Sequence, residues 1–186
     1  MPKFTAEKGK LEGVLLITPT FFTDHRGFFA ETYNALDFKE LGITDNFIQD
    51  SHSHSVKNVL RGLHFQLAPY ATSKLIRCFN GEIFDVAVDL RPDSPTFKQW
   101  EGFTLSSENR NMLYIPIGFA HGFYVKSDTA DIFYKTHAPF HKDYDGGVKW
   151  NDPDINIVWP VMSDPILSEK DNNLPFVKDI LPKLKW

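Results

Sequence analysis

A chain of 186 residues, 42% hydrophobic and 24% charged, has the length and composition of one folded unit, since a single core commonly serves roughly 100–200 residues. A formal net charge of −4 offers no basic surplus for nucleic acid, and leaves small anions as partners that a few local cations can hold. The amino end, MPKFTAEKGKLEGVLLITP, carries only a five-residue apolar run and no later segment does better, so neither a signal-peptide core nor a membrane span is expected.

Short apolar or alternating runs recur between turn signals: GVLLITP, GFFAETY, FIQDSHSHS, VLRGLHFQ, KLIRCF, EIFDVAVDL, WEGFTL, MLYIPIGF, HGFYV, IFYKTH and INIVWP. Each reads as a strand. Asn80-Gly81, between KLIRCF and EIFDVAVDL, has the chemistry of a type I′ hairpin turn. In EIFDVAVDL, Phe84, Val86, Val88 and Leu90 alternate with Asp85 and Asp89, predicting one buried and one wetter face. Helical patterns are few: ALDFKELGI (35–43), closed by Gly42, and one turn near Ser168. The single cysteine, Cys78, cannot form an internal disulfide, and it reads as a buried thiol in a cytoplasmic protein. Many short strands with few helices predict an all-β antiparallel roll spanning 1–186 as one domain.

Seven histidines need places in such a roll. His25, His137 and His141 stand among charged or loop residues and read as solvated. His52 and His54, two apart, share one face of a strand and resemble the HxH pair of metal-binding cupins. Pro116, Gly118 and His121 supply the PxGxxH spacing of that group, but Asn58 stands where a ligating carboxylate is needed, and the first acidic residue after it is Glu82. No metal and no other cofactor is therefore expected.

His64 and His121 remain on core strands, where a hydrogen-bonded core histidine is the plain reading of either alone. Arg61, three residues before His64, falls on the opposite face of a regular strand, yet arginine is seldom buried without a partner and so needs an anion or a rim. Lys74 opens the next strand and Tyr134 lies within IFYKTH. Ser168 and Asp171, in LSEKD, have the spacing of a capping box, which would make Asp171 a helix cap.

Taken in order, RGLHFQ, SKLIRCFNGEIFDVAVDLR, SPTFKQW, IPIGFAHGF, YKT, VKWNDPDINIVWP and LSEKD resemble the dTDP-4-dehydrorhamnose 3,5-epimerase family from about Gly13 to Asp171. The resemblance implies a metal-free cupin-type jelly roll (a double-stranded β-helix), usually dimeric. Its implied substrate is a dTDP-linked 4-keto sugar, inverted at C3 and C5 on the way to dTDP-L-rhamnose. It further implies His64 as base with Asp171 as its carboxylate, Lys74 beside the C4 oxygen, and Tyr134 as acid on the far face. Arg61 and Arg26 fall to the diphosphate, and Glu31, Gln49 and the adjoining Asp50 and Ser51 to the nucleoside. His121, Asp145 and Lys170 line the pocket, with Phe140 where a tyrosine usually stacks on thymine. The sequence reads QDS at 49–51 where the family usually reads QDN, and the amide's two donors are lost there. Some N-terminal residues are expected to reach a neighbouring subunit's site. Alternatives are an epimerase acting at one centre or on another nucleotide 4-keto sugar, a non-catalytic jelly roll that binds nucleotide sugars, and a metal-dependent cupin.

Overall fold

The computed structural model describes residues 2–161 and 163–186. Its elements, in chain order, are β1 (Phe4–Lys8), β2 (Leu15–Pro19), β3 (Phe22–Asp24), β4 (Gly27–Phe29), α1 (Ala35–Glu40), β5 (Gln49–Val56), β6 (Leu60–Gln66), β7 (Lys74–Asn80), β8 (Glu82–Asp89), β9 (Trp100–Ser106), β10 (Met112–Ile115), β11 (Phe119–Val125), β12 (Thr129–Thr136), β13 (Asp145–Gly147), α2 (Glu169–Asn172) and α3 (Val177–Ile180). Two antiparallel sheets face each other: six strands in the order β1-β2-β10-β7-β12-β5 and five in the order β13-β6-β11-β8-β9. This is the all-β jelly roll expected from the strand series. No helix among the described residues is long and apolar enough to cross a membrane.

The Asn80-Gly81 turn does not close a hairpin within one sheet. β7 is flanked by β10 and β12, and β8 by β11 and β9, so the turn carries the chain from one sheet to the other. Gly81 still needs its positive φ of 78°, and a Cβ there would sit 2.0 Å from the Thr129 carbonyl oxygen. INIVWP forms no strand; it crosses the outside of the five-stranded sheet, where Trp159 donates its indole N–H to the Trp150 carbonyl.

Both faces of β8 are buried, which corrects the expectation of a wetter side. Val86, Val88 and Leu90 pack outward against a cover of Trp159, Val177, Ile180 and Leu184. Ile83 and Ala87 point between the sheets, toward Ile76, Cys78 and Ile132. Asp85 and Asp89, on that inner side, are wholly buried, and each is held by partners. Asp89 takes Arg91, Ser94 and Thr96, while Asp85 takes His121. On the outer side of the six-stranded sheet, α1 buries Phe38 over Ile17, Leu75 and Met112. Asn34 caps that helix by accepting from the Leu36 N–H.

Candidate active site

Between the sheets lies an open cavity of about 410 Å³. Strand alternation decides which residues reach it. On β5, Gln49, Ser51 and Ser53 point in, whereas Asp50, His52 and His54 point out and bind Lys135 and Asp131 on the outer face. From β7 and β12 of the same sheet come Lys74 and Tyr134; from β6 and β11 of the opposite sheet come Arg61, His64 and His121.

Arg61 and His64 share the cavity because β6 is irregular. His64 pairs with His121 and Arg61 with Phe123, so three steps on β6 match two on β11. That extra residue is a β-bulge, and it resets the parity that a regular strand would impose. Gly62 makes it possible: its φ is 129°, and a Cβ on it would lie 2.5 Å from the Gly122 Cα.

His64 donates its Nε2–H to Asp171 Oδ1, 2.5 Å away. Asp171 is almost fully buried at 2% exposure. Burial opposes its ionisation, but the His64 hydrogen bond and charge, together with the Ser168 and Gly62 contacts, outweigh it and hold the carboxyl below its usual range. The capping reading is half right: Ser168 Oγ accepts from the Asp171 N–H at 3.0 Å, capping α2, while the Asp171 side chain turns to the imidazole. His121 has its own buried carboxylate, with both oxygens of Asp85 3.0 Å from Nε2. Sequence reading missed Asp85 as a partner; its inward parity on β8, opposite the HGF strand, was the available signal.

Lys74 Nζ donates to the His64 carbonyl at 3.3 Å, bridging the two sheets. Desolvation pushes its ammonium down to about 8, partly offset by Asp145 and Asp85. Asp145 in turn accepts from Lys170 at 2.5 Å. Arg61 is anchored by Ser55 Oγ and the His54 carbonyl, with no carboxylate partner among the described residues. At the rim, Phe140 is 60% exposed and its N–H donates to Gln49 Oε1, whose amide also reaches Ser51 Oγ.

The structure does not bring Arg26, Glu31 or Asp50 to this cavity. Arg26 sits in the turn between β3 and β4, paired with Asp24; Glu31 pairs with Lys3; Asp50 faces outward for the reason of parity given above. Gln66 and Thr72 line the cavity and were not anticipated, although Gln66 shares the parity of His64 two residues away. His137 is not simply solvated: its Nδ1 accepts from the Ser73 N–H at 3.0 Å. His141 stacks on Tyr70, with ring centroids 4.3 Å apart. His52 and His54 share Asp131 Oδ1, and their hydrogen bonds lower that carboxyl to about 2. The HxH pair and His121 therefore lie on different sides of the six-stranded sheet.

A family model described as dTDP-4-dehydrorhamnose 3,5-epimerase matches residues 8–179. A Shigella flexneri protein of that name is 53% identical over 167 residues, covering 89% of this chain and 92% of its own length. One from Escherichia coli (strain K12) is 51% identical over 177 residues, or 95% of each. Among solved structures, dTDP-6-deoxy-D-glucose-3,5-epimerase from Legionella pneumophila, in complex with dTDP-4-keto-L-rhamnose, superposes with a TM-score of 0.94 at 41% identity and 98% coverage of both chains. A 3′-monoepimerase from Streptomyces bikiniensis in complex with dTDP-quinovose gives 0.87 at 28% identity, over 94% of this chain and 88% of that one.

Proposed function

Since this chain belongs to the dTDP-4-dehydrorhamnose 3,5-epimerase family, we propose that it converts dTDP-4-dehydro-6-deoxy-D-glucose to dTDP-4-dehydro-L-rhamnose by inverting C3 and C5. The protons on both carbons flank the C4 ketone, so removing either gives an enolate. His64 takes the proton. Asp171 fixes the imidazole's tautomer and steadies the imidazolium that forms. Lys74 places its ammonium at the C4 oxygen as negative charge grows there. Tyr134 returns a proton from the other side.

The observation that carries this reading is that His64 and Tyr134 stand on opposite walls of one cavity, β6 in one sheet and β12 in the other. A planar enolate held between them meets a base on one face and an acid on the other, which is what inversion requires. Arg61, without a carboxylate partner among the described residues, takes the diphosphate, and Gln49, Ser51 and Phe140 take the nucleoside. His121, Asp145 and Lys170 complete the pocket.

Arg26 and Glu31 lie outside the chain's own cavity, which supports a homodimer in which the β3–β4 hairpin of one copy completes the site of the other. We infer one epimerase domain over 1–186, acting in the cytoplasm; the buried lone thiol Cys78 fits a reducing compartment.

The deciding experiment follows deuterium from solvent into C3 and C5 during turnover of dTDP-4-keto-6-deoxyglucose. Exchange with inversion at both carbons supports the reading. Inversion at one carbon alone favours the single-centre alternative, the activity named for the Streptomyces bikiniensis neighbour. Absence of any exchange leaves a nucleotide-sugar-binding module.

A further inference from the structure

Five arginines serve this chain. Arg26 is paired with Asp24, Arg91 with Asp89, and Arg61 faces the cavity described above. The other two, Arg77 on β7 and Arg110 in the turn after β9, have no carboxylate partner among the described residues.

They stand together on the outer face of the six-stranded sheet, at the foot of the β3–β4 hairpin. The Arg77 guanidinium carbon is 4.3 Å from the Phe79 ring centroid and 6.0 Å from that of Phe21. Arg110 is 4.6 Å from Phe21 and 4.4 Å from Phe28. The two cations thus alternate with three aromatic rings. Among the described residues, Nε of Arg77 is buried without a hydrogen-bond acceptor, and Arg110 donates only to the Ser107 carbonyl, at 3.4 Å. Burial and the neighbouring Arg110 lower the Arg77 pKa. Both guanidiniums open on a second cavity, also about 410 Å³, lined in addition by Thr32 and Ser107.

Ring stacking can hold an arginine, yet it supplies no counter-charge, and two neighbouring cations with a buried unpaired N–H are ordinarily matched by an acceptor. We propose that this outer cavity is an oxyanion site in which one carboxylate or phosphate group bridges Arg77 and Arg110. The guanidinium donors suit the oxygens of such a group, and Phe28 on β4 ties its occupancy to the position of the hairpin. The oxyanion comes either from a small free anion or from an acidic side chain of a second copy on this face.

The test reads the two arginines directly, through the ¹H–¹⁵N resonances of their side-chain Nε groups. Inorganic phosphate is titrated against chloride at constant ionic strength, with Arg91, already paired to Asp89, as internal reference. A saturable joint shift of Arg77 and Arg110, absent for Arg91 and lost for Arg77 in Arg110→Gln, identifies a free-anion site. Resonances indifferent to phosphate but displaced together when the protein is diluted through its dissociation range identify a carboxylate from a second copy. Shifts that never saturate, or resonances unmoved by both phosphate and dilution, overturn the proposal. Because the wild-type titration needs no substitution, poor folding of the variant does not blunt the result.

Discussion

His64 and His121 are direct cross-strand partners, and each imidazole is held by its own buried carboxylate, Asp171 and Asp85 respectively. Two similar pairs side by side give the proposed roles a sharp contrast. His64→Ala is expected to abolish solvent exchange at both C3 and C5 while dTDP affinity changes little, and His121→Ala is expected to weaken substrate binding with exchange retained. Asp171→Asn is expected to fold and to lose about 10⁴-fold in rate, the scale seen when an orienting aspartate is neutralised elsewhere. Exchange measured by NMR checks all three, and exchange surviving in His64→Ala at either carbon sinks the single-base mechanism.

Tyr134→Phe separates deprotonation from inversion. With the far-face donor gone, His64 still removes a proton and solvent returns one from the same side. Deuterium is then expected at C3 or C5 with the original configuration. Normal inverted product from this variant removes Tyr134 from the mechanism, leaving it a strand residue packed on the core.

Lys74 is expected to set the alkaline limb. Its ammonium titrates near 8 in the free protein, so kcat/KM is expected to fall above that pH as the positive charge at the C4 oxygen disappears. The diphosphate's negative charge raises the value in the complex, and kcat is expected to decline at higher pH than kcat/KM. Lys74→Met is expected to cost roughly 10²–10³-fold. For folding, the sign is opposite to that of a paired lysine. Between about 8 and the unfolded value of 10.5 the unfolded chain holds the proton and the folded one does not, so this group's contribution to stability rises with pH across that window. An alkaline limb unchanged in Lys74→Arg assigns the titration to another group.

Arg26 tests the shared site. Arg26→Ala and His64→Ala dimers are each expected to be nearly inactive. Their equal mixture, after subunit exchange, is expected to regain about a quarter of wild-type activity, because half the dimers then contain one intact site. A mixture no more active than its components means that Arg26 does not cross to the partner.

Chelation addresses the metal alternative. His52 and His54 are committed to Asp131 on the outer face, away from His121. Activity is expected to survive prolonged EDTA treatment followed by desalting, and a loss restored by a divalent ion revives the metal-dependent cupin reading.

Much of this was legible in the sequence because strands announce themselves by period two and turns by glycine. The roll, ten of its strands and the cavity residues His64, Lys74 and Tyr134 follow from local pattern together with motif order. Pairing does not. Asn80-Gly81 has hairpin chemistry, yet both neighbours of β7 come from distant segments, and only the closed topology shows the turn to be a corner. Asp85 and Asp89 lack the expected wet face because the side of β8 they share with Ile83 and Ala87 is closed by the opposite sheet, through Ile76 and Ile132, and their partners come from another strand, His121, and from the following loop, Arg91, Ser94 and Thr96. Asp50 illustrates the converse: grouping it with Gln49 and Ser51 ignored the alternation that sends it to the outer face. INIVWP has a strand's composition, but its apolar side chains serve as a lid on a sheet that is already complete.

The bulge at Gly62 turns β6 into a measuring stick. Because three steps on β6 match two on β11, Arg61 and His64 stand roughly 7 Å apart along the strand, at about 3.3 Å per matched step, and both ends face the same space. On the proposed roles, with a diphosphate at Arg61 and a carbon acid at His64, the strand is expected to score candidates by the length of the link between them. A sugar carrying a single phosphate, or none, is then expected to fall short of one mark whenever it reaches the other, which makes this backbone irregularity a filter by reach ahead of any contact with the base or sugar hydroxyls.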